Sequence, residues 1–242
     1  KVTAVKPLGF KDHSLAGTGM DASDEDGGTN TNSGTPIVKI KPQPVKGMYL
    51  PDAIARYTVN GQSYLITANE GDARADWPGF NEETRVRAHC SAGLDPAVFA
   101  DAANLVLDSN LGRLRITSTP NGGSSGKNAA GQCNELFSFG ARSFSIWSTD
   151  LARVYDSGDE IEQRTRTLPN ANFNASHDNN TLDGRSASKG PEPEGVVVGR
   201  FGNKHFAFIG LERVGGVMVY DVSNPAAPSF VTYFNPRSAD TG

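Results

Sequence analysis

The chain has 242 residues, 23 basic against 27 acidic for a formal net charge of −4, and 37% apolar residues. Charges scattered at that balance offer no nucleic-acid surface, and no apolar run approaches the roughly 18 residues that a membrane-spanning helix needs. With 27 Gly and 14 Pro the composition is that of loop-rich β structure, not of a helical protein.

In chain order, Val2 to Phe10 reads as the outer strand of a preceding unit. A polar tract from Asp21 to Gly34 follows, then an extended run from Ile37 to Val45 that Pro42 and Pro44 confine to a sheet edge or a polyproline path. At Pro51-Asp52 a clear hairpin begins: an apolar run from Ile54 to Val59, the turn Asn60-Gly61, alternating residues from Tyr64 to Ala68, then Glu70. Asn and Gly tolerate positive φ, so a tight two-residue turn is expected there. An insertion over residues 71–140 predicts a helix from Asp95, with Pro96 at its first position and Val98, Ala102, Leu105 and Val106 on one face. A strand from Gly112 to Ser118 and a Gly/Ser/Asn loop from Asn121 to Gly131 complete it. Ser143 to Trp147 and Arg153 to Tyr155 then supply two more strands.

After a polar connection from Asp156 to Pro191, the same template returns 142 positions later. It reads Pro193-Glu194, Val196 to Phe201, the turn Gly202-Asn203, Phe206 to Gly210 and Glu212, followed by apolar runs Gly216 to Val222 and Ser229 to Phe234. Each copy predicts four meandering antiparallel strands, the make-up of a β-propeller blade, although spacing alone leaves a sandwich open. The expected class is therefore all-β: a partial propeller with a long loop and helix insertion. Residues 1–50 end a preceding blade, 51–157 form one blade around the insertion, 158–192 connect, and 193–235 form another. Two blades cannot close a ring of about four to eight. The remainder is expected from a longer parent chain or from a partner chain, and the missing initiator Met and the end at Ala239-Asp240-Thr241-Gly242 suggest a cut from something longer.

Antiparallel pairing brings the two ends of each hairpin together. Asp52 with Glu70, and Glu194 with Glu212, are thus expected at one rim, provided a bulge or strand end relaxes the ideal register, which would put Glu70 on the face opposite Asp52. Two readings stand. Crowded carboxylates call for a hard, oxygen-loving ion such as calcium, or Arg74, Arg185, Lys189 and Arg213 in the adjoining loops neutralise them as salt bridges or hold an anionic group. The tract Asp21-Ala-Ser-Asp24-Glu25-Asp26-Gly27 fails as an EF-hand loop and reads as a solvated Asx-rich turn, and Asp159, Asp178 and Asp183 invite the same suspicion and restraint. Gly122-Gly-Ser124-Ser-Gly126 matches a nucleophile elbow by letters alone, with no strand before it or helix after it. His205 reads as a strand residue, and His13 and His177 as loop residues open to ligation. Cys90 and Cys133 lie in the insertion, where a crosslink would stabilise most, and are expected as a disulfide, the alternative being two free thiols. Two sequons, at Asn174 and Asn179, matter only in a glycosylating host.

Several runs together resemble the choice-of-anchor I family of bacterial secreted and surface proteins, related to mesenchyme-specific cell surface glycoproteins. They are Gly9-Phe-Lys-Asp-His-Ser14, Asp21-Ala-Ser-Asp24, Gly47-Met-Tyr-Leu-Pro-Asp52, Thr67-Ala-Asn-Glu-Gly-Asp-Ala-Arg74, Phe139-Gly-Ala-Arg-Ser-Phe-Ser-Ile-Trp147, Asp156-Ser-Gly-Asp159, Lys189-Gly-Pro-Glu-Pro-Glu-Gly195 and Ala207-Phe-Ile-Gly-Leu-Glu-Arg213. The resemblance implies a YncE-like propeller within a longer parent, export to the periplasm or beyond, and surface anchoring. Some relatives carry alkaline phosphatase labels. A phytase-like reading implies a metal-dependent phosphoester hydrolase in which Asp52, Glu70, Glu194 and Glu212 hold Ca2+ while Arg74 and Arg213 contact the phosphate ester. The rival is a non-catalytic module for adhesion or matrix assembly.

Overall fold

The computed structural model describes residues 2, 4–27, 35–120, 125–168 and 172–237. The end of the polar tract, the first positions of the Gly/Ser/Asn loop with the elbow-like letters, and the C-terminal tetrapeptide lie outside them.

Both predicted hairpins form. Strands β3 (Ala53–Val59) and β4 (Gln62–Asn69) pair around Asn60 and Gly61, which take φ of +50° and +78°. The copy, β10 (Pro193–Phe201) and β11 (Lys204–Leu211), turns at Gly202 with φ of +62°. Strands β8 (Ser143–Ser148) and β9 (Arg153–Asp156) extend the first hairpin to the order β3-β4-β8-β9. Strands β12 (Val217–Asp221) and β13 (Ser229–Phe234) extend the second to β10-β11-β12-β13. The fold is all-β, with two four-stranded antiparallel sheets where the repeat placed them, and among the described residues no sheet closes on itself. The two sheets share one apolar core: Tyr57, Ile66, Phe144 and Ile146 of the first meet Ala207, Ile209, Met218 and Tyr220 of the second.

The rest of the chain departs from expectation. A third, five-stranded sheet runs β1 (Phe10–Asp12), β2 (Lys46–Met48), β7 (Phe137–Phe139), β6 (Arg115–Thr117) and β5 (Glu83–Arg85). The N-terminal segment and the insertion thus build one sheet together, joined by the parallel pair β2-β7. Of the outer strand expected from Val2 to Phe10, the described residues place only Phe10 in a strand, as the first residue of β1. The core of this third sheet holds Met20, Val86, Leu94, Phe99, Leu111, Leu114 and Ile116 around a disulfide between Cys90 and Cys133, Cα atoms 5.5 Å apart.

The helix expected from Asp95 is only a turn there. Short helices occur at α1 (Val86–His89) and α2 (Ala102–Leu105), and Phe99, not the 57% exposed Val98, enters the core. Asp95 is tied down by its own contacts, its N–H donating to the Cys133 carbonyl and its carboxylate accepting from Asn128, which fixes a turn rather than a helix start. A helix that patterning missed, α3 (Glu160–Thr165), lies in the connection before the second hairpin. Ile161 is its one buried aliphatic side chain, too little periodicity to be read.

Candidate functional site

The ends of β4 and β11 do gather carboxylates, but not the four expected. Oxygens of Glu70, Glu192 and Glu212 lie within 4.8 Å of one another, while Asp52 and Glu194 are exposed on the flank. The register explains the exchange. Pro193 pairs with Leu211 and Gly195 with Gly210, so a bulge expels Glu194 and sets Glu192 opposite Glu212, whose N–H donates to the Glu192 carbonyl at 2.8 Å. Glu192 takes φ of +52° and its counterpart Leu50 φ of +32°, each immediately before a proline of the repeated template. Glu70 is held by a backbone crossing so close that a Cβ on Gly71 would fall 1.8 Å from the Gly140 nitrogen, which leaves both positions to glycine.

Glu192 is the centre of this rim and is fully buried. One oxygen accepts from Arg185 Nε and Nη2 at 2.9 and 2.6 Å, and the other lies 3.0 Å from Lys189 Nζ and 3.3 Å from Arg213 Nε. Lys189 also donates to Glu70, and Arg213 Nη2 sits 3.0 Å from Glu212. Burial alone would raise the Glu192 carboxyl, but Lys189 and Arg185 outweigh it and hold it below the ordinary range. Glu70 and Glu212, with fewer cations each, are raised by burial. Three carboxylates therefore meet three cations.

Calcium takes six to eight oxygen ligands at about 2.3–2.6 Å. An ion at this rim would have to displace Lys189 and both arginines from Glu192. The donor set does not fit a metal centre; it fits the alternative reading, an ion-paired knot. Of the arginines expected at phosphate, Arg74 lies elsewhere, in a two-pronged pair with Glu82 and beside the Trp77 and Phe80 rings. Arg213 is at the rim but is shared by Glu192, Glu212 and His177.

Two further polar networks lie inside the fold. Lys11, only 2% exposed, pairs with Asp156 at 2.8 Å and donates to the carbonyls of Ala141 and Gly158. Asp156 accepts from Ser143 and Ser145, which meet Asn69 of β4, so the polar face of the first sheet is sealed by the N-terminal segment. Beside it Arg142 is buried, at φ of +53°, donating to Glu162 at 2.8 Å and to the carbonyls of Asp21, Ser186 and Ser188. Asp21, Ser23 and Asp26, read as a solvated turn, are buried here instead. Burial pushes the Asp21 carboxyl up to about 7, and burial, then the Asp21 charge, push Asp183 up to about 9. His205 sits on β11 as expected. His13 is not in an open loop: it is buried, its Nδ1 2.6 Å from the Thr18 carbonyl. Asp178 is exposed. Asp159 donates its N–H to Gly17 just before α3. Of the sequons, the Asn174 side chain is fully buried, which leaves Asn179 as the reachable one.

Neither Glu192 nor Arg142 stood out in the sequence. The one signal was the template itself, since the Pro-Glu-Pro-Glu run offers two glutamates and only the bulge decides which faces inward.

The model for the choice-of-anchor I domain matches residues 1–225. Over 224 residues, 79% of this chain and 28% of the relative, the sequence is 28% identical to the mesenchyme-specific cell surface glycoprotein of Strongylocentrotus purpuratus. Over 123 residues, 48% of this chain and 42% of the relative, it is 32% identical to Gigasin-3a of Magallana gigas. The chain thus spans less than half the length of these relatives, and no solved structure matches it. With nine-tenths of its length inside that family model, the chain belongs to the choice-of-anchor I family.

Proposed function

We propose that this chain is part of an exported, cell-surface β-propeller module that acts by binding or assembly rather than by catalysis. The observation that carries the reading is the rim: its carboxylates are consumed by Arg185, Lys189 and Arg213, leaving no open coordination position beside a basic group, which metal-dependent phosphoester hydrolysis would require. The disulfide supports an oxidising compartment, and the sea-urchin relative is by name a cell surface glycoprotein.

The propeller reading rests on packing. In each sheet the first hairpin strand lies at one edge, and the two repeated four-stranded sheets share one apolar core. The outer face of the second sheet leaves Val197, Phe201 and Phe234 exposed, at 59, 62 and 68%. An apolar sheet face of that kind is a surface for another sheet, from further along a longer chain or from a partner.

The test is hydrolysis of p-nitrophenyl phosphate by the purified chain with calcium, manganese, magnesium, zinc or iron, and with EDTA. No turnover is expected. Metal-dependent turnover abolished by Glu212→Gln would overturn the reading and restore the phosphatase one. Protease shaving of intact cells should release peptides of this chain, and their absence would remove the surface location.

A further inference from the structure

Apart from the rim, whose carboxylates are paired, the interior holds oxygens that the fold leaves unanswered. Asp183 and Asn174 are both fully buried, and one oxygen of each, Asp183 Oδ2 and Asn174 Oδ1, has no hydrogen-bond partner among the described residues. The Asn174 amide is fixed in orientation, its Nδ2 donating to Glu162 Oε1 at 2.8 Å and to Ser186 Oγ at 2.7 Å. A flip would press the amide oxygen against the Glu162 carboxylate. Ser186 in turn donates to Asp183 Oδ1, so the two side chains converge on one hydroxyl and each keeps its second oxygen free. Buried acceptors are rarely left so, because each costs about 1–3 kcal/mol unless something answers it.

Charge points the same way. Arg142 pairs with Glu162 at 2.8 Å and meets Asp21 only at its backbone carbonyl, whereas among the described residues neither the buried Asp21 nor the buried Asp183 carboxylate has a cation at ion-pair distance. Two buried carboxyl groups without a paired cation are groups that a bound cation would answer. The donors are all oxygen, with no imidazole or thiolate, which selects a hard ion.

We propose that Asp183 Oδ2 and Asn174 Oδ1 hold a structural divalent cation of the calcium class inside the fold, within the buried network to which Asp21 is tied by its N–H donating to Glu162 at 3.2 Å. It joins the loop before the second hairpin to the N-terminal tract and to α3. The site is distinct from the ion-paired rim and stands whether or not the proposed function does.

The experiment is equilibrium dialysis of the purified chain against calcium or magnesium from about 0.1 to 10 mM, spanning the level at which extracellular modules bind, with bound ion read as the excess over the dialysate. Thermal melts with and without EDTA accompany it. One equivalent of ion per chain is expected, with a melting temperature higher by roughly 5–10 °C at about 100-fold excess over Kd. Asp183→Asn should lose the equivalent, Asn174→Asp should keep it, and the rim variant Glu212→Gln should keep it too. Should Asp183→Asn fail to fold, terbium luminescence on the native chain, competed by calcium, replaces it. No bound ion and no shift in melting would overturn the proposal and leave a proton on Asp183 as the answer to the free oxygens. Loss of the ion in Glu212→Gln with retention in Asp183→Asn would also overturn it, by moving the ion to the rim.

Discussion

Replacing Glu192 by Gln keeps the shape of the rim and removes the charge at its centre. Glu192 is fully buried and meets Arg185 through two N–H groups, Lys189 at 3.0 Å and Arg213 at 3.3 Å. Hydrogen bonds to a charged group are worth about 1.5–3 kcal/mol each, and removing one partner of a buried pair costs about 3–5 kcal/mol. The three cations are 13–23% exposed and can recover part of their hydration, so the contacts do not add, and about 3–5 kcal/mol is expected. For a chain of this size that lowers the melting temperature by roughly 6–20 °C. Urea denaturation with and without EDTA is the assay. An ion-paired knot keeps the penalty unchanged by chelator, whereas a metal site would show it only when metal is present. A loss below about 1 kcal/mol, or one that EDTA erases, would refute the reasoning. Glu194→Gln, displaced to the surface by the bulge, should change stability by less than about 0.5 kcal/mol.

Arg142→Met should cost about 3–5 kcal/mol by stranding Glu162 and three carbonyls, and the double variant with Glu162→Gln should recover part of it in a denaturation cycle. His13 is held neutral, burial first and then the Lys11 charge lowering it from 6.5 to about 3. A depressed histidine costs nothing while it is neutral in both states, and stability falls as pH drops below 6.5, by on the order of 2 kcal/mol at pH 5. Asp21 and Asp183, raised by burial, contribute the opposite slope to the native chain and to His13→Gln alike, so in melts from pH 8 to pH 4 the difference between the two should carry the histidine term, the native chain losing stability relative to His13→Gln below pH 6.5. Removing the crosslink with Cys90→Ser and Cys133→Ser frees the unfolded chain from a loop spanning 43 positions and should cost about 2–4 kcal/mol, read as a lower urea midpoint. A midpoint unchanged from the native chain would show that the second core holds itself together without it.

Local chemistry decided what can be read without coordinates. The turns at Asn60-Gly61 and Gly202 take positive φ, and the alternating residues around them need one dry face, so both hairpins, their outer strands and the all-β class follow from neighbours a few positions apart. Cys90 and Cys133 could be paired because no third thiol competes. What the sequence could not place depends on residues that meet only after folding. The five-stranded sheet joins Lys46–Met48 to Phe137–Phe139, about 90 positions away, through backbone groups that leave no side-chain signature. The helix at Glu160–Thr165 is polar because Glu162 faces a buried arginine, so its pattern looks like a loop. The choice of Glu192 over Glu194 at the rim turns on one bulge, since a shift of a single residue sends a strand's side chains to the other face. Composition and periodicity record which residues want burial; only tertiary pairing sets which charges are buried together, and with that whether a cluster of carboxylates is a metal site or a knot of ion pairs.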